Sequence, residues 1–587
     1  MKSLAAIIIL FVLAFSFKGE ERQTAPAPPV ITDTFGCWGY GNVDVPGLLE
    51  LYTGYDVKGI HITFQAGQIR PTLAGAFNWA ILDTLIERAV DSGYWIGLQG
   101  QFGPDVTPQL LDGAHGVDTF YTTRGFGAEG PYPDYYDPQY KQYYFATLDS
   151  IINHIAAYTS AVRNKILYYH VSEGSTGDTG PYKGEPYNVA DTIGPIRWTR
   201  DFRYPAWDSI ARFIAESAHP TLRMLLNTGN DGLDLMPATE RFPLCWVKEG
   251  TLSHDVEFEG EQNYYDRITP PSRGEVQGYI IGGGASASTH KVREGFCLIA
   301  SALDGDLKMM DLPQGWMNNV KQAGETKTDQ RLIEFFNKYS NNTEKCGFLV
   351  PADRPSFDDT LRFPTATFGT IAKAGDSTDK LAVRLYHLKD SSYSDEFREF
   401  RRIRVTSKYL QDARVQAIRA LFPQLGFVKD NVIDPAGNDN NTYLDDFNVG
   451  GVNYYSQKMS LVDQYANITG VARIGDDTCM LGRWAAMGTM LVDIDNSLRS
   501  YHDNDSVRIS ISYYDSIPGT IDISTPSVLL FGCNDVPAKQ ITVGSSRKWL
   551  TSTFIIPRFK YRQNTWDLKV ASGFRYVGLI QFENLYK

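Results

Sequence analysis

At 587 residues the chain is too long for a single core, so two or three domains are expected. Hydrophobic residues make up 43% and charged residues 21%, a globular balance that excludes a disordered chain. A formal net charge of -12 with no basic block argues against nucleic acid or an anionic membrane surface as partner, and leaves a neutral substrate open.

Taken in chain order, the first segment reads as a secretory signal. Lys2 supplies the positive start, Leu4 to Phe17 form a short apolar run, and Ala14 and Ser16 are small residues ahead of a cleavage point near Phe17. The run is too short for a comfortable transmembrane span, and no other stretch is long and apolar enough to be one. Residues 1–16 are thus expected to be removed on export to the periplasm or the extracellular space. Residues 17–34, polar and Pro-rich around Ala25-Pro26-Ala27-Pro28-Pro29, are expected to form a flexible leader.

From about residue 35 to 325, short apolar runs alternate with helical ones, as in repeated βα units. Val57–Phe64 reads as a strand and Trp79–Val90 as a helix stopped at Asp91-Ser92-Gly93. Tyr94–Leu98 is the third strand, Tyr140–Tyr158 a long amphipathic helix, and Lys165–Val171 the fourth strand. A helix near Trp207–Ser217 follows, then strands at Leu222–Leu226, Leu244–Val247, Ser272–Gln277 and Leu307–Met310. No Gly-x-Gly-x-x-Gly fingerprint accompanies them, and the run Gly282-Gly283-Gly284 lacks the rest of that pattern. The order therefore predicts a closed (β/α)8 TIM barrel over 35–325 rather than a nucleotide-binding open sheet.

Residues 326–435 read as a helical extension, with helices at Gln330–Tyr339 and Tyr409–Leu421. From 436 to 587 the apolar period falls to two. Val507–Tyr514, Gly519–Ile523, Ser527–Phe531, Lys539–Val543, Leu550–Ile556, Leu568–Val570 and Tyr576–Phe582 read as strands of a C-terminal all-β sandwich of carbohydrate-binding type.

In a barrel of this kind the reactive groups lie at the C-terminal ends of strands. Glu173, in Val171-Ser172-Glu173-Gly174, directly follows the fourth strand and precedes a Gly-rich loop. Apolar neighbours there would raise its pKa, as a general acid near neutral pH requires; capping a helix or pairing with Lys183 is the structural alternative. Gln99 and Gln101 close the third strand, and Asn227 and Asn230 follow the fifth, where amides both donate and accept. Asp178 lies in the loop after Glu173, and His254 lies beyond the sixth strand. Trp246 and Trp316 are candidate stacking platforms, with core packing as the alternative for each. The 13% aromatic content, led by 34 Tyr, suits sugar stacking and also suits large β-rich cores.

The stretches Phe77-Asn78-Trp79-Ala80-Ile81-Leu82-Asp83, Gly93-Tyr94-Trp95-Ile96-Gly97-Leu98 and Pro108-Gln109-Leu110-Leu111 resemble the early barrel of clan A glycoside hydrolases, most nearly its β-galactosidase and agarase-like branches. That resemblance implies an acid/base Glu ending the fourth strand and a nucleophile Glu ending the seventh. Glu173 takes the first place. Glu275, in Ser272-Arg273-Gly274-Glu275, takes the second, with Glu249, Glu257, Glu259 and Glu261 as rivals. The clan places Asn before its acid/base; here that position is Ser172. The implied activity is retaining hydrolysis of an oligo- or polysaccharide such as a β-galactoside or galactan. A non-catalytic glycan-binding protein on the same barrel is the alternative, and a polysaccharide lyase a weaker third.

No metal or cofactor is expected. There is no His-Glu-x-x-His motif, and the 9 histidines are scattered. The stretch Gly437-Asn438-Asp439-Asn440-Asn441 has oxygen ligands suited to Ca²⁺, but a simple Asn/Asp turn is the preferred reading. The six cysteines lack a CxxC pattern; Cys479 and Cys533 are close enough in sequence to pair, and free thiols serve equally well.

Overall fold

The computed structural model describes residues 32–124, 127–170, 185–186, 205–209, 222–227, 246–252, 272–276, 291–304, 307–321, 324–341, 345–351, 403–404, 427–428, 454–462, 467–472, 485–495, 498, 506–526, 535–560 and 566–585. The expected signal, most of the leader and the Asn/Asp stretch near 440 lie outside these residues. So do the second helix of the extension (Tyr409–Leu421), Cys479 and Cys533.

Eight parallel strands close on themselves: β1 (Gly36–Asn42), β2 (Gly59–Gln65), β3 (Trp95–Gln101), β4 (Ile166–His170), β5 (Arg223–Asn227), β6 (Trp246–Leu252), β7 (Ser272–Val276) and β8 (Met309–Pro313). Each pairs with its neighbours in sequence, and β8 returns to β1 in a continuous register from Gly36↔Met309 to Tyr40↔Pro313. This is the expected barrel, with the fourth and seventh strands where the sequence placed them. The strand least visible in the sequence is β1, GCWGYGN, whose glycines break the apolar run. A side chain at Gly39 would meet Ile60 and Tyr52 at 2.6 Å, and one at Gly41 would meet Leu48 at 2.5 Å. The glycines admit the one-turn helix Leu48–Tyr52 close against the strand.

Helix α1 (Ala80–Asp91) shows how the outer layer is made. Leu82, Leu85, Ile86 and Ala89 recur at helical spacing, are buried, and pack in the same core as Ile60, Ile62 and Phe64 of β2. Burial of this kind contributes about 1.5–3 kcal/mol per large side chain. Gly93, with φ of 88°, ends the helix in the left-handed conformation and turns the chain into β3. Helix α2 (Pro138–Ala157) starts at Asp137, whose carboxylate accepts from the N–H groups of Gln139 and Tyr140, with Pro138 in the first turn. Helices α3 (Lys291–Asp304), α4 (Gln314–Asn319) and α5 (Gln330–Asn341) complete the described outer layer on this side.

Ten antiparallel strands form the second region: β9 (Cys346–Pro351), β10 (Tyr454–Gln457), β11 (Met459–Leu461), β12 (Asn467–Ala472), β13 (Ala485–Ile494), β14 (Val507–Tyr514), β15 (Gly519–Pro526), β16 (Asp535–Val543), β17 (Trp549–Ile556) and β18 (Leu568–Asn584). They surround a core of their own that includes Leu349, Val492, Ile509, Ile511, Ile523 and Phe582. Two differences from the sequence reading stand out. Residues 346–351, expected in the helical extension, are a strand of this region, held between β10 and β18. Of residues 352–453, only two two-residue strands paired in parallel, Ile403–Arg404 and Phe427–Val428, are described. Second, Leu568–Val570 and Tyr576–Phe582 are one strand. The intervening Ala571-Ser572-Gly573-Phe574-Arg575 is turn-like in composition, yet its register shifts are absorbed within β18, with Gly573 at φ of 59° and Ser572 Oγ bonded to Gly488. The first half of β18 lies between β13 and β15, and its second half between β14 and β9.

The two regions meet where the barrel strands begin. Asn337 of α5 accepts from the N–H of Cys37 at the foot of β1, at 2.7 Å. The next two residues reach the second region: Tyr339 accepts from Gln581 of β18 at 2.7 Å, and Lys338 pairs with Glu583 at 3.6 Å. Asp304, at the end of α3, accepts from the N–H of Ser456 at 2.8 Å. The strand C-termini of the barrel are therefore at the opposite end from this contact.

Candidate active site

The barrel interior is unusually polar for a packed core. Alternation along each strand turns His61 of β2, Gln99 of β3, Tyr168 and His170 of β4, Arg273 of β7 and Asp311 of β8 away from the helices, and all six are buried. Gln101 ends the third strand as expected and Gln99 lies inside it, because β3 runs three residues further than its apolar stretch.

These groups form a connected network. The His61 ring lies between Gln99 Oε1, 2.9 Å from Nε2, and the Tyr168 hydroxyl, 2.8 Å from Nδ1. Burial pushes the Tyr168 hydroxyl up to about 12, with the nearby Arg273 charge opposing the shift, so the phenol keeps its proton. Gln99 Oε1 is an acceptor, so Nε2 of the ring donates to it. The Arg273 guanidinium sits 5.7 Å from the Tyr168 ring centroid and forms an ion pair with Asp311, Nε donating to Oδ1 at 3.0 Å. Tyr40 and His170 flank His61 at ring separations of 5.3 and 5.9 Å. Trp38 packs beneath, 5.4 Å from Tyr168. Gly97 is required here, since a methyl group on it would collide with the Tyr168 ring.

Of the residues singled out in the sequence, the structure brings Gln99 into this network. Glu275 lies in β7, its backbone in register with Asp311 of β8 and Thr251 of β6. Its rival Glu249 lies in β6, where the register with β7 shifts. Asn227 ends β5 opposite Lys248, and Trp246 opens β6 opposite Leu225. Trp316, in α4, is fully buried in the core outside the barrel, so neither face of its indole is open to a ligand. Ser172, Glu173, Asp178, Lys183, Asn230, His254, Glu257, Glu259 and Glu261 lie outside the described residues; β4 ends three residues before Glu173.

His61, Tyr168, His170, Arg273 and Asp311 were not picked out from the sequence. For all but Arg273 a signal was present: these residues interrupt short apolar strands, at alternate positions in Tyr168-Tyr169-His170 and singly in Ile60-His61-Ile62 and Met310-Asp311-Leu312. A polar residue inside a buried strand needs a partner; His61 meets Gln99 and Tyr168, and Arg273 meets Asp311. Among the described residues there is no group of three or more side chains suited to a metal, and no helix long and apolar enough to cross a membrane.

No family model matches the chain, and no curated protein matches it. Solved structures do resemble it. The catalytic domain of β-amylase from Paenibacillus polymyxa aligns over 53% of this chain and 98% of its own, at 12% identity and a TM-score of 0.35. A Bacteroidetes-affiliated GH5 cellulase linked with a polysaccharide utilization locus aligns over 53% and 92%, at 10% identity and a TM-score of 0.34. A thermostable mutant of a xylanase from Cellvibrio japonicus aligns over 47% and 86%, at 10% identity and a TM-score of 0.31. The barrel itself rests on the strand register of this chain.

Proposed function

We propose that this chain is a retaining glycoside hydrolase, exported from the cytoplasm, that cleaves an oligo- or polysaccharide, with a β-galactoside or galactan as the first substrate to try. The observation that carries the reading is the strand count. In a closed barrel of eight, Glu173 follows the fourth strand by three residues and Glu275 lies in the seventh.

In this mechanism the Glu275 carboxylate attacks the anomeric carbon as the bond to the leaving oxygen breaks, and Glu173 gives that oxygen its proton. Glu173, now a carboxylate, takes a proton from water, whose oxygen displaces Glu275 and restores both groups. Such a pair must stand roughly 5 Å apart. The His61–Gln99–Tyr168 network lines the barrel interior with polar groups of the kind that meet sugar hydroxyls.

Purified protein is incubated with galactans, xylan and aryl glycosides, and released reducing sugar or phenol is measured. Glu173→Gln and Glu275→Gln should each abolish turnover while leaving the unfolding midpoint unchanged. Full activity in either variant removes that residue from the chemistry. Ser172, standing where the clan has Asn, favours one other reading, a glycan-binding barrel without turnover. Saturable binding of a panel glycan with no product would establish it.

A further inference from the structure

The antiparallel region carries a feature that the barrel's chemistry does not use. Strand β14 lies between β17 and β18, and the register sets Trp549, Tyr514 and Tyr576 in one row across the three strands. Val507, Ile509, Ile511 and Tyr513 of β14 face the core, so Tyr514 and its row belong to the outer face. A Cβ at Gly578 would lie 2.8 Å from the six-membered ring of Trp549. The indole therefore reaches from β17 across β14 to β18 and lies along the sheet. Ser512, beneath it, is only 3% exposed although it is on the outer face. Trp549, Tyr514 and Tyr576 remain half-buried, and Phe574, at the bulge beside Tyr576, is 72% exposed.

Beside the aromatic row runs a ladder of hydroxyls. Ser512 pairs with Thr551 and Ser510 with Thr553, each at 2.9 Å, and the two threonines are exposed. At the far end of β14, away from the aromatic row, Arg508 pairs with Glu583 at 2.9 Å, and Glu583 also meets Lys338 of α5 at 3.6 Å. A half-buried indole lying flat along the sheet, flanked by phenols and hydroxyls, matches the two surfaces of a neutral sugar: the apolar C–H face of a pyranose and its equatorial hydroxyls.

We propose that Trp549, Tyr514 and Tyr576 form a binding platform for a neutral hexopyranose chain, stacking a sugar ring on Trp549 with Thr551 and Thr553 beside it. The platform is on the region that contacts the foot of the barrel, so it is separate from the strand C-termini. It rests on no property of Glu173 or Glu275.

The test uses the full chain in affinity electrophoresis through gels containing soluble galactan or xylan, and in pull-down on agarose beads and microcrystalline cellulose. Wild type should be retained by at least one of these. Trp549→Ala should weaken that retention about tenfold, the scale of one lost stacking contact. Tyr576→Ser should weaken it less, and Trp549→Phe should keep most of it. Unfolding midpoints recorded on the same samples guard against a folding defect in any one variant. Absence of retention on all four polymers, or equal retention of folded Trp549→Ala and wild type, overturns the proposal. So does a change in oligomeric state on Trp549→Ala, which would assign the row to a contact between copies.

Discussion

The ion pair between Arg273 and Asp311 gives the sharpest prediction about the barrel. Both side chains are fully buried, Arg273 on the seventh strand and Asp311 on the eighth. Asp311→Asn keeps the shape but leaves the guanidinium facing a neutral amide in the barrel interior. Removing one partner of a buried pair costs about 3–5 kcal/mol, because the surviving charge is uncompensated. Replacing both partners with apolar groups of similar volume is often close to neutral. Asp311→Asn should therefore destabilise the chain by about 3–5 kcal/mol, lowering the barrel's melting temperature by roughly 10 °C. The double variant Arg273→Met/Asp311→Leu should recover most of that loss. Urea unfolding followed by tryptophan fluorescence, with Arg273→Met completing the cycle, measures the coupling. An Asp311→Asn cost below about 1 kcal/mol, or a double variant worse than both singles, would refute the argument that the pair's burial sets the cost.

Two further predictions concern Tyr168. Gly97→Ala drives a methyl group into the Tyr168 ring and should cost about 1–3 kcal/mol, a loss that Tyr168→Ala in the same chain relieves; simple additivity of the two would count against the collision. The alkaline limb follows from the raised phenol. Its folded value, about 12, lies above the ordinary value of 10.0, so the neutral form is favoured by folding. That stabilisation is complete below pH 10 and is lost as pH rises through 12, on the order of 2–3 kcal/mol. Burial also raises Tyr52 and Tyr169, which steepens the same decline. Ultraviolet titration should show a class of tyrosines that ionises above pH 10, and Tyr168→Phe should flatten the loss of stability between pH 10 and 12.

The barrel was legible because its strands and helices differ in period and alternate along the chain; β2, β3, β4, α1 and α2 fall within one to three residues of their expected bounds. Strand β1 was hidden because its glycines answer to the helix packed on it, a tertiary demand invisible to local pattern. The polar interior was hidden for a related reason: Arg273 and Asp311 look like solvated charges until the register brings their strands side by side. Gln99 could be found, since it sits at the end of an apolar run, but its partner His61 is 38 residues away. Trp316 shows the converse, an aromatic whose composition suits a ligand and whose position in the fold buries it. In the second region, β9 is six residues between a helix and a long insertion, and only its pairing with β18 identifies it as a strand.

Strand β18 touches four other strands, among them β9 more than two hundred residues earlier. During synthesis the barrel can close as soon as β8 has left the ribosome, since its pairings run between neighbours and end at β1. The antiparallel region has no such early solution. Its core must wait for the seventeen residues of β18, and until then β9 and β14 each lack a flanking strand. A stop or frameshift before residue 568 would thus leave a closed barrel carrying a set of open sheet edges. Such a product is more prone to aggregate than to unfold.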